Sequence, residues 1–216
     1  MDRKFGRIYL ADERDANYPI RMMKTRRTYR YWNANGWWGD QLDTPFCIGY
    51  AWAHWLDDGP VTHGKTKPPL VNPAELYRRA QELDVWPGSN YEGSSIRGGV
   101  KAVKSLGYVS EYRWTCTLSA LVNAVLEQGP VVVGTLWWAG MSHPDKQGVL
   151  RATGYVEGGH AYVINGVNTR KAMFRIKNSW GRGWGLGGLA WVPFEDMGRL
   201  IEDADGECCL ATEVKK

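Results

Sequence analysis

No apolar run in this 216-residue sequence approaches the ~18 residues of a membrane-spanning helix, so no membrane partner is expected. The start, Met1-Asp2-Arg3-Lys4-Phe5-Gly6-Arg7 leading into Leu10-Ala11-Asp12-Glu13-Arg14-Asp15, lacks the apolar centre of a secretory signal. A cytoplasmic location is the expectation, and a bacterial or phage origin is compatible with it. Cysteine is scarce. Cys47, Cys116, Cys208 and Cys209 have neither zinc-site spacing nor the pattern of a secreted disulfide framework, so a reduced state is expected. Charge of one sign is also missing: 27 basic against 23 acidic residues leave +4, short of the concentrated basic footprint of a nucleic-acid binder. There is no internal repeat and no low-complexity tract.

What the chain does have is tryptophan, 12 copies in an otherwise ordinary composition that is 44% hydrophobic and 23% charged. That suits a globular protein with one sizeable core, or two small lobes sharing one. Residues 16–40 interleave basic and aromatic side chains (Lys24, Arg26, Arg27, Tyr29, Arg30, Tyr31, Trp32, Trp37, Trp38) without a clean period. Such interleaving suits single-stranded nucleic acid, but no nucleic-acid module accompanies it. A surface extension that packs its aromatics on the body is the preferred reading.

Periodicity is clearer further on. Ile48, Ala51, Trp52, Trp55 and Leu56 form one helical stripe that Asp57-Asp58-Gly59-Pro60 ends, which puts Cys47 in the first turn. Asn72-Pro73-Ala74-Glu75 reads as a cap opening a helix to about Leu83. A third helix follows Ser94-Ser95 and stops at Gly107, and a fourth opens at Thr117 and closes at Gly129-Pro130. Short β-rich runs follow at 131–136, 160–164, 172–176 and 189–192. Helices first and strands after give an α+β order.

A thiol acts as a nucleophile only as thiolate. A helix N-terminus and a neighbouring imidazolium both favour that form. Cys47 has the first by position. Of the four histidines, His54 lies about 10 Å along the same helix axis, too far to take the thiol proton. His63 and His143 fall in loops. His160 follows Gly158-Gly159 and opens a strand, where a side chain is aimed rigidly.

At these residues the chain resembles the papain family of cysteine peptidases. Gly39-Asp40-Gln41-Leu42-Asp43-Thr44-Pro45-Phe46-Cys47, Gly158-Gly159-His160-Ala161, Lys177-Asn178-Ser179-Trp180-Gly181-Arg182-Gly183-Trp184-Gly185 and Gly188-Leu189-Ala190-Trp191 stand in the family's order. The resemblance implies a two-lobe fold: a helical lobe, a lobe with an antiparallel barrel-like sheet, and the active cleft between them. The divisions expected are an N-terminal strap and extension over 1–40, a mainly helical lobe over 41–112 and a mainly β lobe over 113–216. It also implies hydrolysis of peptide bonds through an acyl-thioester on Cys47, with no metal and no organic cofactor. His160 would be the base, Asn178 its orienter, and Gln41 with the Cys47 backbone N–H the oxyanion hole. Trp180 would cover the His160–Asn178 contact, with Ser179 in support. Gly93, Gly134 and Ala161 would line the substrate site, the last two leaving room for a bulky apolar side chain.

The chain also departs from the family pattern. Ile48 replaces the tryptophan usual after the nucleophile, Thr44 replaces a pairing cysteine, and Phe46 replaces a small residue and is expected to narrow the cleft. No long inhibitory propeptide precedes Gln41, so restraint by narrow specificity, low activity, a regulatory partner or inhibitor, or an upstream region is expected. Two other readings are an inactive papain-like binding module with a blocked cleft, and a cysteine acyltransferase or peptide ligase.

Overall fold

Caps and stops place the helices where the sequence sets them. The computed structural model describes residues 3–32, 37–61, 67–86, 88 and 90–215; His63 lies outside them. Helix α1, Cys47–Asp58, buries all of its residues but Tyr50, and Gly59 follows it. Helix α2, Pro73–Leu83, starts where the Asn72 side chain accepts from the Ala74 N–H at 2.9 Å. Helix α3, Ile96–Ser105, starts where Ser95 Oγ accepts from the Gly98 N–H at 2.8 Å; Gly107, at φ 77°, turns the chain out of it. Helix α4, Leu118–Glu127, has Thr117 at its N-cap without a side-chain cap bond; the Leu118 N–H is instead taken by Glu202 Oε1 at 2.8 Å. A short helix α5, Phe194–Gly198, comes late in the chain.

The strands are β1 Tyr29–Tyr31, β2 Val109–Thr115, β3 Val131–Trp138, β4 Val156–Asn168, β5 Met173–Lys177, β6 Leu189–Pro193 and β7 Glu207–Glu213. All pair antiparallel in the order β2-β7-β3-β4-β5-β6, with β1 on β4. The four β-rich runs of the sequence became β3 to β6. Three strands had no clear sequence signal. β1 is three residues of basic and aromatic side chains, and β2 carries Ser110, Glu111 and Arg113 among its apolar positions. β7 holds Cys208 and Cys209, both buried free thiols, between β2 and β3.

Two apolar cores form. One packs α1, α2 and α3 around Trp52, Trp55 and Ile96, and the other fills the sheet side around Leu121, Trp137, Phe174 and Met197. Two aromatic residues among the described part of the 16–40 segment pack onto this body. Trp32 Nε1 donates to the Val125 carbonyl at 2.9 Å, and Trp37 stacks on Tyr50. Between the cores, the sheet register sets one row across three strands: Gly134 of β3 opposes Ala161 of β4 on one side and Glu207 of β7 on the other.

Candidate active site

Cys47 begins α1, so the free N–H groups of the first turn face its side chain. The backbone N–H groups of Gly6, Ala161 and Ile48 donate toward its sulfur. His160 lies on β4 opposite Thr135, one residue before the Ala161 N–H that reaches the thiol. His160 Nε2 pairs with Asn178 Oδ1 at 2.8 Å, and Nδ1 has no hydrogen-bond partner among the described residues. Asn178 Oδ1 also accepts from the Ser179 N–H at 2.8 Å, which fixes the amide against the imidazole. Lys177, directly before Asn178, is anchored in the core by Asp58 at 2.7 Å; Asn165 donates to the other Asp58 oxygen at 2.9 Å.

Aromatic rings enclose the imidazole. Trp180 lies 5.3 Å from it by centroids, Trp137 4.8 Å and Phe5 5.7 Å, the last two edge-on. Trp180 therefore packs against the histidine ring. Trp137 and Phe5 were not anticipated, since a tryptophan at a strand end and a phenylalanine among N-terminal charges carry no positional signal.

Gln41 is held by two bonds to Ser179: its N–H donates to the Ser179 carbonyl at 2.8 Å, and Oε1 accepts from Ser179 Oγ at 2.6 Å. The Gln41 Nε2, the donor expected to face an oxyanion, donates to the Thr44 carbonyl at 2.8 Å and to the Lys4 carbonyl at 3.0 Å. Lys4 belongs to the chain's own N-terminal segment, and that segment runs through the whole cleft.

Arg3 pairs with Asp40 on the Gln41 side. The Gly6 carbonyl accepts from the Ser94 N–H at 2.9 Å, and the Ile8 N–H donates to the Ser94 carbonyl at 2.9 Å, a parallel bridge to the helical lobe. The Arg7 N–H donates to the Gly159 carbonyl at 2.9 Å, a bond to the sheet lobe. The fit is close. A Cβ on Gly6 would stand 1.9 Å from the Pro45 carbonyl oxygen, and one on Gly159 2.3 Å from the Arg7 carbonyl oxygen. Gly93, at φ 111°, backs the segment on the other wall, where its Cβ would meet the Gly6 oxygen at 2.8 Å.

This segment buries the reactive pair. Cys47 and His160 are each 0% exposed. Burial pushes the Cys47 thiol up to about 11, with the surrounding N–H groups pulling the other way. Burial likewise pushes His160 down to about 4, with the Asn178 bond opposing it. In this closed form burial works against the charged state of both groups.

The Phe46 ring packs on Tyr77 at 4.4 Å between centroids, and Tyr77 Oη accepts from the Gly93 N–H at 2.7 Å. The space beside Gly134 and Ala161, expected to suit an apolar side chain, holds the Arg7 side chain with Glu207 at its end. His54 is a buried structural histidine whose Nε2 accepts from the Gly39 N–H at 3.1 Å. His143 lies on a loop beside Trp180 and Trp184.

The family model described as papain family cysteine protease matches residues 48–214. A cathepsin B-like cysteine proteinase of Ostertagia ostertagi is 34% identical over 154 residues, covering 64% of this chain and 88% of that one. An uncharacterized peptidase C1-like protein of Acanthamoeba polyphaga mimivirus is 27% identical over 114 residues, 50% of this chain but only 36% of that protein. In fold, xylellain, a cysteine protease from Xylella fastidiosa, superposes at TM-score 0.80 over 100% of this chain and 99% of its own, at 19% identity.

Proposed function

Since the chain belongs to the papain family of cysteine proteases, we propose that it is a cysteine endopeptidase whose cleft is held closed by its own residues 3–9. The observation that carries this is the arrangement at the thiol: Cys47 at the head of α1, beside a strand whose His160 is fixed by Asn178 at 2.8 Å.

With the segment displaced, water and substrate reach the pair. The Cys47 proton passes to His160, and Asn178 accepts from Nε2–H to hold the ring in the productive tautomer. The thiolate attacks the scissile carbonyl and a C–S bond forms. The resulting oxyanion takes the place of the Lys4 carbonyl at Gln41 Nε2 and meets the Cys47 N–H. His160 returns its proton to the leaving amine as the C–N bond breaks, leaving an acyl-thioester. Water, deprotonated by His160, then releases the acid and restores the thiol.

The buried thiol favours one second reading, a family member whose closed cleft serves as a binding module without turnover. Alkylation decides between them. The full chain and its His160→Ala variant are incubated with an irreversible epoxysuccinyl inhibitor at pH 6–7, alone and with millimolar peptide competing for the cleft. Adducts are then located by mass spectrometry, with the exposed Cys116 as internal control. Adduct on Cys47, faster when the segment is displaced and lost without His160, supports the peptidase. Labelling of Cys116 with none on Cys47 under any condition supports the inert module.

A further inference from the structure

Peptide hydrolysis at Cys47 gives no role to the basic and aromatic residues around β1. That strand pairs with the far end of β4, and the register aligns its side chains with those of three other strands. Tyr31 of β1, Gly166 of β4, Arg175 of β5 and Trp191 of β6 form one row, and Tyr29, Asn168, Met173 and Pro193 form the next. Paired residues of antiparallel strands face the same side. The alternate positions Val167, Phe174 and Val192 are buried in the sheet-side core, so both rows lie on the outer face.

The rings there are laid flat by the backbone. A Cβ on Gly166 would stand 2.6 Å from Tyr31 Cδ1, so the missing side chain leaves the ring its place. Tyr31 Oη accepts from Asn168 Nδ2 at 3.1 Å. By centroids the ring sits 5.9 Å from Tyr29 and 5.8 Å from Trp191. Tyr31 and Trp191 are half-buried, and Tyr29 is 57% exposed.

Cations border these rings. The Thr169 N–H donates to the Thr28 carbonyl at 2.8 Å, which brings the turn carrying the exposed Arg170 and Lys171 against the start of β1. A groove of about 500 Å³ follows residues 26–31, with Arg26 and Arg30 on its wall beside Tyr29. The Arg175 guanidinium lies 4.8 Å from the Tyr31 ring. Nearby acids are few: Glu127 pairs with Arg27, and Glu195 follows Phe194, whose N–H donates to the Ala172 carbonyl at 2.8 Å. The net charge of the whole chain is only +4, and the fold gathers part of it here. Basic residues on a short edge strand also discourage pairing with another chain, which accounts for the cations. It does not account for the rings, because a sheet face turned to water ordinarily carries polar side chains.

Open ring faces beside such cations suit one chemistry. Bases stack on the rings while the cations neutralise the phosphates between them. A duplex keeps its base faces within its own stack, so the fit is to a single strand. We propose that the outer sheet face around Tyr29, Tyr31 and Trp191 binds single-stranded nucleic acid, with bases on the rings and phosphates on Arg26, Arg170 and Lys171. Asn168 stands eight residues beyond His160 on β4, about 26 Å along the strand, so this surface is separate from the cleft.

The test uses the full chain and a fluorescently labelled oligothymidylate of about 16 nucleotides at low salt, read by anisotropy. Heparin and a DNA duplex of the same length are the comparison polyanions, which carry charge without open base faces. Tyr29→Leu keeps apolar bulk and removes the ring, and it weakens oligothymidylate binding about fivefold or more while heparin binding is unchanged. Tyr29→Phe, which keeps the ring, retains the wild-type affinity. Arg170→Gln/Lys171→Gln weakens all three polyanions and lowers the salt slope of log affinity for oligothymidylate by about 1.4, at ~0.7 per contact. Tyr29, Arg170 and Lys171 are exposed, so the variants should melt and alkylate at Cys47 as the wild type does. Binding that responds to the charge variant and ignores Tyr29→Leu would mark a surface that attracts any polyanion, and would overturn the proposal. So would a preference for the duplex, or no binding of oligothymidylate at low salt. No step of this readout involves cleavage, so failure of the peptidase reading would leave it intact, and the reverse.

Discussion

A single methyl group at Gly6 is enough to open the cleft. Added to the present backbone, that Cβ would stand 1.9 Å from the Pro45 carbonyl oxygen and 2.6 Å from its carbonyl carbon, both backbone atoms next to the α1 turn. Contacts under about 3 Å are not tolerated between such atoms, and Pro45 is held by the Cys47 helix, so the segment must move. Four main-chain contacts hold it locally: Lys4 to Gln41, Arg7 to Gly159, and two between Gly6 or Ile8 and Ser94. The two closest to residue 6 are the Gly6 carbonyl to Ser94 and the Arg7 N–H to Gly159. At about 1 kcal/mol net per hydrogen bond, losing both costs the closed form about 2 kcal/mol. That is about a 30-fold shift toward the open form. Gly6→Ala is expected to raise the rate of Cys47 alkylation by about that factor at pH 7, measured by mass spectrometry against Cys116 in the same sample. Its melting temperature should fall by about 4–8 °C at most, the equivalent of that loss, with the two cores still intact. An alkylation rate within twofold of wild type would refute the claim that this segment controls access.

Gln41→Ala is expected to split two readouts, since Gln41 anchors Lys4 and, in the proposed reaction, donates to the oxyanion. Alkylation of Cys47 should accelerate while kcat of a segment-displaced enzyme falls about 10²-fold or more; parallel changes in both would contradict the dual role. Lys177→Met leaves Asp58 charged and buried with Asn165 as its remaining close donor, and should cost about 3–5 kcal/mol in urea unfolding. A loss under about 1 kcal/mol would show that the pair is not what fixes the Asn178 end of β5. The pH dependence follows from His160, held near 4 by burial against 6.5 when unfolded. The unfolded chain binds the extra proton between those values, so this contribution is complete above pH 6.5 and is lost as pH falls toward 4, by about 3 kcal/mol. Glu207, pushed up to about 7, works in the opposite direction between 4.5 and 7. Subtracting the unfolding profile of His160→Gln from that of the wild type isolates the histidine; a flat difference between pH 4 and 6.5 would refute its buried neutral state.

Much of this was legible in the chain itself. The helices could be read because each has a local mark: the stripe after Cys47, Asn72 before a proline, Ser95 with its oxygen on the Gly98 N–H. Cys47, His160 and Asn178 could be read from residue types whose order packing does not explain; the fold pairs His160 with Asn178 and sets the next residue, Ala161, beside the Cys47 thiol. The N-terminal segment was opaque for a physical reason. Lys4 and Gly6 act through backbone groups, and nothing in their side chains announces a carbonyl on Gln41 or an N–H on Cys47. Glu207 was hidden as well, because its relation to Gly134 and Arg7 exists only through the pairing of β3 with β7, strands about 75 residues apart in the chain. The two small residues were read as room for an apolar side chain, and the acid beside them was not seen.

The central claim is that Cys47 forms an acyl-thioester once the segment is out of the cleft. Gly6→Ala and Gly6→Ala/Cys47→Ala, mixed with an activated peptide ester and quenched in acid within seconds, test it by intact-mass spectrometry. The account predicts one acyl group, mapped to Cys47 and absent from the double variant. Ester turnover at equal rates in both chains, or an acyl group on Cys116 instead, would contradict it.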